Sequence, residues 1–332
     1  MHRSVARDGP ALPAVALSPY GTGVLYAIGA GVALGTLGPV SNIAYSAGMG
    51  SPTFAALRAT IGALVLLAFA GRTERRVSLG SLSRREQGML ALTAAAQACL
   101  SLALFAAYGA MTVALVLAVY FSYPVLVAGA SIALGRERLT PARAASLVVA
   151  LAGLLVIVLG RMGPDAHISA MGLALAAIAA CCQATYLVAS RNGFTRMPST
   201  QAVTVILAGA AIAVWAVALP VDGLSGRLTV WVTEPSAWLA ILFAGAVGAG
   251  LAKVWLLKGV RRVGGTRSSV LMLAEPLTGV LLAAFLLGQP IGLPELIGGA
   301  GVLVGAILAQ RPAAATVARA GATSQPAADP TA

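Results

Sequence analysis

The amino-acid sequence predicts an all-α polytopic membrane protein, with ten transmembrane helices arranged as two inverted five-helix repeats. Three observations carry that prediction. Charge is scarce: of 332 residues, 22 are Lys or Arg and 10 are Asp or Glu, so 10% is charged where about 25% is usual for soluble domains. The charge-free intervals are long, with no charged residue or His between Asp8 and Arg58 or between Glu86 and Arg136. Each has room for two spans of about 20 residues, the length that crosses roughly 30 Å of hydrocarbon. The third observation is an internal repeat, in which sliding the chain on itself by about 150 residues brings two apolar halves into register. With 59% hydrophobic residues and a mean hydropathy of +0.90, an ordinary water-soluble enzyme is excluded.

Apolar runs bounded by charge, Gly/Pro or polar clusters place the spans near 22–41, 53–70, 88–108, 112–134, 143–160, 169–190, 200–219, 237–257, 266–287 and 291–309. They suit helices rather than barrel strands, because runs such as LVVALAGLLVIVLG (Leu147 to Gly160) show no alternation of apolar and polar residues. Arg3 and Arg7 precede prolines and a first run of full spanning length, which reads as an uncleaved first span. Residues 1–20 and 311–332, rich in Pro, Ala, Ser and Thr, read as disordered cytoplasmic tails.

Lys and Arg fall almost entirely on one side of these spans. Arg161 and Arg227 lie on the other side, Arg58 and Lys253 lie within spans, and all the rest, from Arg3 to Arg319, share the first side. Basic loops stay in the cytoplasm, so both termini are expected there, in a multi-pass protein of the plasma (cytoplasmic) membrane. The net charge of +12 is thereby assigned to orientation rather than to nucleic acid, which is not an expected partner. The lipid bilayer is. Cys99, Cys181 and Cys182 lie in apolar runs without CxxC or Cys/His spacing, so neither disulfides nor a metal is expected.

The repeat is clearest at a shift of 152, which aligns Pro124 with Pro276, Glu137 with Gln289 and Gly153 with Gly305. The starts of the halves align more loosely, GVLYAIGAGVALG from Gly23 against GLALAAIAACCQA from Gly172. The units are residues 21–161 and 168–310. Five spans per unit is an odd number, so the halves enter the membrane from opposite sides, and inverted repeats of this kind are typical of secondary transporters with a mid-membrane site.

Three segments, SPTFAALRAT at 51–60, YPVLVAGASIALGRERLTP at 123–141 and GGTRSSVLMLAEPLTGVLLAAFLLGQP at 264–290, make the chain from about 21 to 310 resemble the EamA-type ten-helix permeases of the drug/metabolite transporter superfamily. The resemblance implies two EamA-like domains, cytoplasmic termini, a central cavity and export of amino acids or other small metabolites. Two features depart from the pattern, Gln289 where the first copy has Glu137, and Lys253 in a span position expected to be apolar or aromatic.

Glu275 lies about ten residues into its span, hence roughly 15 Å deep at 1.5 Å per residue. It is the one acid expected at that depth, since the four aspartates (Asp8, Asp165, Asp222, Asp329) are expected outside the spans. A carboxylate there either serves transport, as an ammonium contact or proton site, or locks helices together. Pro276 beside it frees backbone carbonyls. Lys253 can snorkel to the cytoplasmic surface, pair with Glu275 or hold a substrate carboxylate. Arg58, near the outer end of span two, can snorkel or serve packing and gating. Asn42, Gln97, Tyr120, Tyr123, Gln183 and Tyr186 are polar residues that either bond between helices or line a cavity. Gly35, Gly38 and Pro39 can break span one into a hinge; Gly31/Gly35 and Gly301/Gly305 have close-packing spacing. Trp215, Trp231, Trp238 and Trp255 read as interface anchors.

The function expected is secondary transport of a small-molecule substrate by alternating access, export of amino acids or related solutes, with protons coupled through Glu275 as one option. The alternatives are an importer, a facilitative exchanger or a non-transporting scaffold. Catalytic residues and cofactors are not expected, because paired acids, a His-based site and a phosphate-binding loop are missing from the spans. A homodimer is compatible with the sequence but not required by it.

Overall fold

The computed structural model describes residues 18–73, 76–137, 140–160, 162, 167–287 and 291–310. The expected tails therefore lie outside the described residues except for residues 18–20, as do Arg161 and the turn at 288–290 containing Gln289. Among the described residues every regular element is helical. The first repeat runs α1 (Pro19–Gly35), α2 (Leu37–Ser46), α3 (Ser51–Thr73), α4 (Arg84–Ala110), α5 (Val113–Tyr120), α6 (Tyr123–Ala133) and α7 (Pro141–Gly160). The second runs α8 (Ala170–Asn192), α9 (Ser199–Leu224), a one-turn α10 (Val230–Thr233) and α11 (Pro235–Phe243). A π-helical segment (Ala244–Leu251) then leads into α12 (Ala252–Val263), followed by α13 (Gly265–Leu271), α14 (Ala274–Leu287) and α15 (Leu293–Ala309).

Eight stretches among the described residues are long and apolar enough to cross a membrane. The tenth expected span is the shorter apolar α15, of 17 residues, and the ninth is the broken pair α13–α14. The outward surface is apolar: Ile212, Leu239, Leu293 and Phe285 are all more than two-thirds exposed. Such a surface would associate in water and is matched to lipid instead.

Helix ends follow from local chemistry. Ser18 caps α1 by accepting from the Gly21 N–H at 3.1 Å, ahead of Pro19. Ser83 and Glu86 form a reciprocal capping box at α4, which satisfies two N–H groups that a helix start leaves orphaned. Gly264, at φ +92°, ends α12 in a conformation that favours glycine.

Helix pairing obeys the repeat. α7 packs on α15 and α3 on α9, each a helix against its own copy, while α1–α12 and α4–α8 are images of each other. The self-pairs run antiparallel. Along α7 and α15, Ala150 meets Gly305, Gly153 meets Gly301, and Gly160 meets Pro294; along α3 and α9, Thr53 meets Asp222 and Thr60 meets Trp215. Equivalent helices that run in opposite directions make the two repeats inverted. The contact is backbone to backbone: a Cβ on Gly153 would sit 2.9 Å from the Gly301 carbonyl carbon, and one on Gly301 2.9 Å from the Gly153 Cα. Close approach of this kind is how helices associate where lipid is as apolar as they are.

Three sequence expectations change here. Asp222 is not outside the spans: α9 continues through Pro220 to Leu224, and the Asp222 side chain is buried. Its carboxylate accepts from the Thr53 N–H at 2.9 Å and the Thr53 hydroxyl at 2.6 Å, capping α3 from the opposite repeat. A negative charge suits that helix start and not the end of its own helix. The carboxylate also fills the space where a Cβ on Gly50 would lie. Lys253 does not snorkel; it is 7% exposed, with Nζ 4.7 Å from the centre of the Tyr186 ring. Trp215 and Trp255 sit in helix contacts, Trp215 donating to Thr60 Oγ1 at 3.0 Å and Trp255 covering Gly29, because each has a facing small residue to pack on.

Gly153→Leu is expected to force α7 and α15 apart at a cost of about 3 kcal/mol or more, lowering the melting temperature in detergent. Gly129→Ala, where a Cβ meets open space, should leave it unchanged. Asp222→Ala should cost about 1–3 kcal/mol, through the lost cap and a buried Thr53 N–H left unpaired, and Asp222→Asn should recover part of that in the same melting experiment.

Candidate functional site

Among the described residues three spans are broken, and each break is followed within four residues by a proline. Pro39 offers no N–H to the Gly35 carbonyl, Pro124 none to Tyr120 and Pro276 none to Met272, and the helices part at Thr36, at 121–122 and at 272–273. The helix break expected around Gly35, Gly38 and Pro39 falls at Thr36, whose hydroxyl donates back to the Ala33 carbonyl at 2.7 Å. The breaks at Pro124 and Pro276 are equivalent under the repeat, and in each the residue ending the helix bonds four residues back, Phe121 N to Leu117 O and Met272 N to Ser268 O, both 2.9 Å, one residue out of register at the shift of 152. Gly35 brings α1 against the backbone carbonyl of Glu275 and the side chain of Thr278. The span-one break of the first repeat therefore rests on the span-nine break of the second.

Between the repeats lies a cavity of about 790 Å³. Its floor carries Lys253, Glu275 and Pro276. Its walls include Arg58, Gln97, Gln183 and Tyr120, and its rim Gly38, Pro39 and Asn42 of α2. Asn42 is exposed. Eleven of the thirteen residues singled out in the sequence line this space, Gly35 among them. The remaining two, Tyr123 and Tyr186, are fully buried behind it. Tyr123 is the repeat counterpart of Glu275; the two halves place the same position in a closed wall and in an open cavity.

Lys253 and Glu275 form no ion pair within 4.0 Å; the ion pairs among the described residues are Arg191–Glu137 and Arg196–Glu86. Lys253 leaves the end of the π-helical segment, whose Gly245, Gly248 and Gly250 admit Ile61, Leu37 and the Gly245 carbonyl at close range. Insertions of this type recur at functional sites. Two side-chain oxygens facing the space, Gln97 Oε1 and Gln183 Oε1, are buried without a partner.

The cavity occupies only the half of the bundle remote from Ser18 and Gln310. The other half is sealed by Tyr123, Tyr186, Leu256, Leu257 and Leu271, all at most 1% exposed. At that end Arg191 pairs with Glu137 across the repeats, with Gly264 packed on both. Arg136 donates to the Val188 carbonyl at 2.9 Å, and Arg261 donates to the Met197 and Phe194 carbonyls, each at 2.9 Å.

Sequence reasoning missed Tyr45, Phe54, Ser101, Tyr108 and Phe121, which also line the cavity. Ser101 stands one helical turn from Gln97 and was findable on that spacing. Tyr45 and Tyr108 stand near span ends, where an aromatic residue reads equally as an interface anchor.

Antiparallel copies of one helical unit enclosing a cavity at paired helix breaks define a polytopic membrane transporter of the inverted-repeat class. The EamA-like transporter family matches residues 21–159 and 170–310, once per repeat. The chain belongs to that family. It is also similar to a protein of known crystal structure, with a TM-score of 0.71 and 23% identity, over 87% of this chain and 98% of that one; at this identity the likeness is one of fold. No curated protein matches the chain.

If the cavity opens only at the end remote from the termini, a cysteine at Asn42 in a background without Cys99, Cys181 and Cys182 reacts with a membrane-impermeant maleimide. A cysteine at Ser131, which is 3% exposed beside the seal, should stay unlabelled. Equal labelling of both positions would contradict that geometry.

Proposed function

We propose that the protein exports amino acids or related small solutes from the cytoplasm across the plasma membrane by alternating access, with both termini cytoplasmic. The observation that carries this reading is the convergence of the two equivalent helix breaks on one charged cavity between the repeats, since broken helices at mid-membrane are where carriers hold solute. The Arg-rich end, closed in this structure, is then the cytoplasmic gate, and the cavity faces outward. The positive-inside bias supports that orientation.

In this reading Glu275 holds the solute or the coupling proton, Lys253 and Arg58 set the charge of the site, and Pro276 and Tyr120 shape the pathway at the breaks. Asn42, Gln97 and Gln183 supply hydrogen bonds along the walls. Tyr123 and Tyr186 enter the pathway when the cytoplasmic gate opens, and Gly35, Gly38 and Pro39 flex as the outer rim closes.

The test compares metabolites in medium and cytosol of cells making the wild type, Glu275→Gln at matched expression, or neither. One solute class accumulating outside only with the wild type is the expected result. Three coincident profiles would remove export as the function. For a proton site, Glu275→Gln should also abolish proton-coupled flux into proteoliposomes, and full, pH-dependent flux by that variant would reject coupling through Glu275.

A further inference from the structure

The charged residues among those lining the cavity are Arg58, Lys253 and Glu275. Glu275 lies close enough to feel the charge of both cations, and Lys253 that of both others, yet none is paired directly with another. Two cations and one anion leave the set with one surplus positive charge when all are ionised. A surplus charge in a space walled by Tyr45, Phe54, Tyr108, Tyr120 and Phe121 is poorly solvated and strongly attractive to a counter-charge. Lys253 makes the case sharper, since it is more than nine-tenths buried, lines the cavity and has its Nζ 4.7 Å from the centre of the Tyr186 ring, with no ion-pair partner among the described residues.

We infer that the cavity binds amphipathic solutes of net charge minus one, a single carboxylate on an apolar or aromatic body, in preference to zwitterions and cations of the same shape. Such a solute brings the site to neutrality, while a zwitterion leaves the surplus and a cation doubles it. The partnerless oxygens Gln97 Oε1 and Gln183 Oε1 add a preference for a neutral N–H donor beside the carboxylate, as in an N-blocked amino acid. This inference rests on the transport reading of the same cavity and narrows its related solutes to one charge class.

Phenylalanine derivatives vary the charge on a nearly constant body. N-acetylphenylalanine is a monoanion, phenylalanine a zwitterion, N-acetylphenylalanine amide neutral and phenylalanine amide a cation. Equilibrium binding to the purified protein in detergent, read as the shift in melting temperature with ligand concentration, is expected to rank the monoanion first by at least about tenfold in Kd and the cation last. Lys253→Met, which makes the cavity charges balance, should move the preference from the monoanion to the zwitterion and neutral forms. Arg58→Gln removes the other cation and should do the same, which keeps the test intact if one variant does not fold. Equal affinity across the series, a preference for the zwitterion or cation in the wild type, or no binding by any member overturns the inference. Flux is measured separately in proteoliposomes. Monoanion binding without flux leaves the charge preference standing and rejects transport; flux with zwitterion preference does the reverse.

Discussion

A backbone carbonyl in hydrocarbon has no water to turn to, and the rest of this structure is arranged around that constraint. An unbroken helix satisfies it anywhere in the bilayer, but a helix missing a hydrogen bond satisfies it only where protein or enclosed water stands beside the gap. Pro39, Pro124 and Pro276 each remove one bond, and the gaps meet in the interior of the bundle, none of them on its lipid face. The cavity is as much a requirement of the breaks as the breaks are of the cavity.

Glycine solves the complementary problem of holding the helices together without a hydrophobic driving force. The α7–α15 contact is made of Gly153, Gly298, Gly301 and Gly305 with backbone against backbone, and Gly31 and Gly35 bring α1 onto the break in span nine. At the end remote from the termini a charge replaces the glycine: Asp222 binds the start of α3 from the opposite repeat. At the Arg-rich end the repeats are joined instead by Glu137 and Arg191. Packing by shape in the middle and by charge at the two ends is what a low dielectric core flanked by polar interfaces favours.

Much of this was written in the sequence. The charge-free intervals, the shift of 152 and the basic-residue bias lead to a helical inverted repeat, and Pro39, Pro124 and Pro276 mark the three breaks. Glu275, Lys253 and Arg58 stand out because a charge inside an apolar run is costly wherever it occurs. Which faces meet was not legible. Asp222 looked like a loop residue because Pro220 imitates a helix end, although a proline near the last turn of α9 leaves the helix intact. Tyr45 and Tyr108 look like interface residues until the other repeat is set against them. Lys253 looks free to reach the surface, since one-dimensional depth does not say which way a side chain turns.

The self-pairing of α7 with α15 and of α3 with α9 puts both contacts on the pseudo-two-fold axis. For a carrier whose two states arise when the repeats exchange shapes, residues on that axis keep their neighbours in both, whereas those off it trade places: Tyr123 takes up the surroundings of Glu275, and the closed wall becomes the open one. Structural change is thereby confined to a shell around a fixed spine. A substitution on the spine raises or lowers both states together, and one in the shell tilts the balance between them.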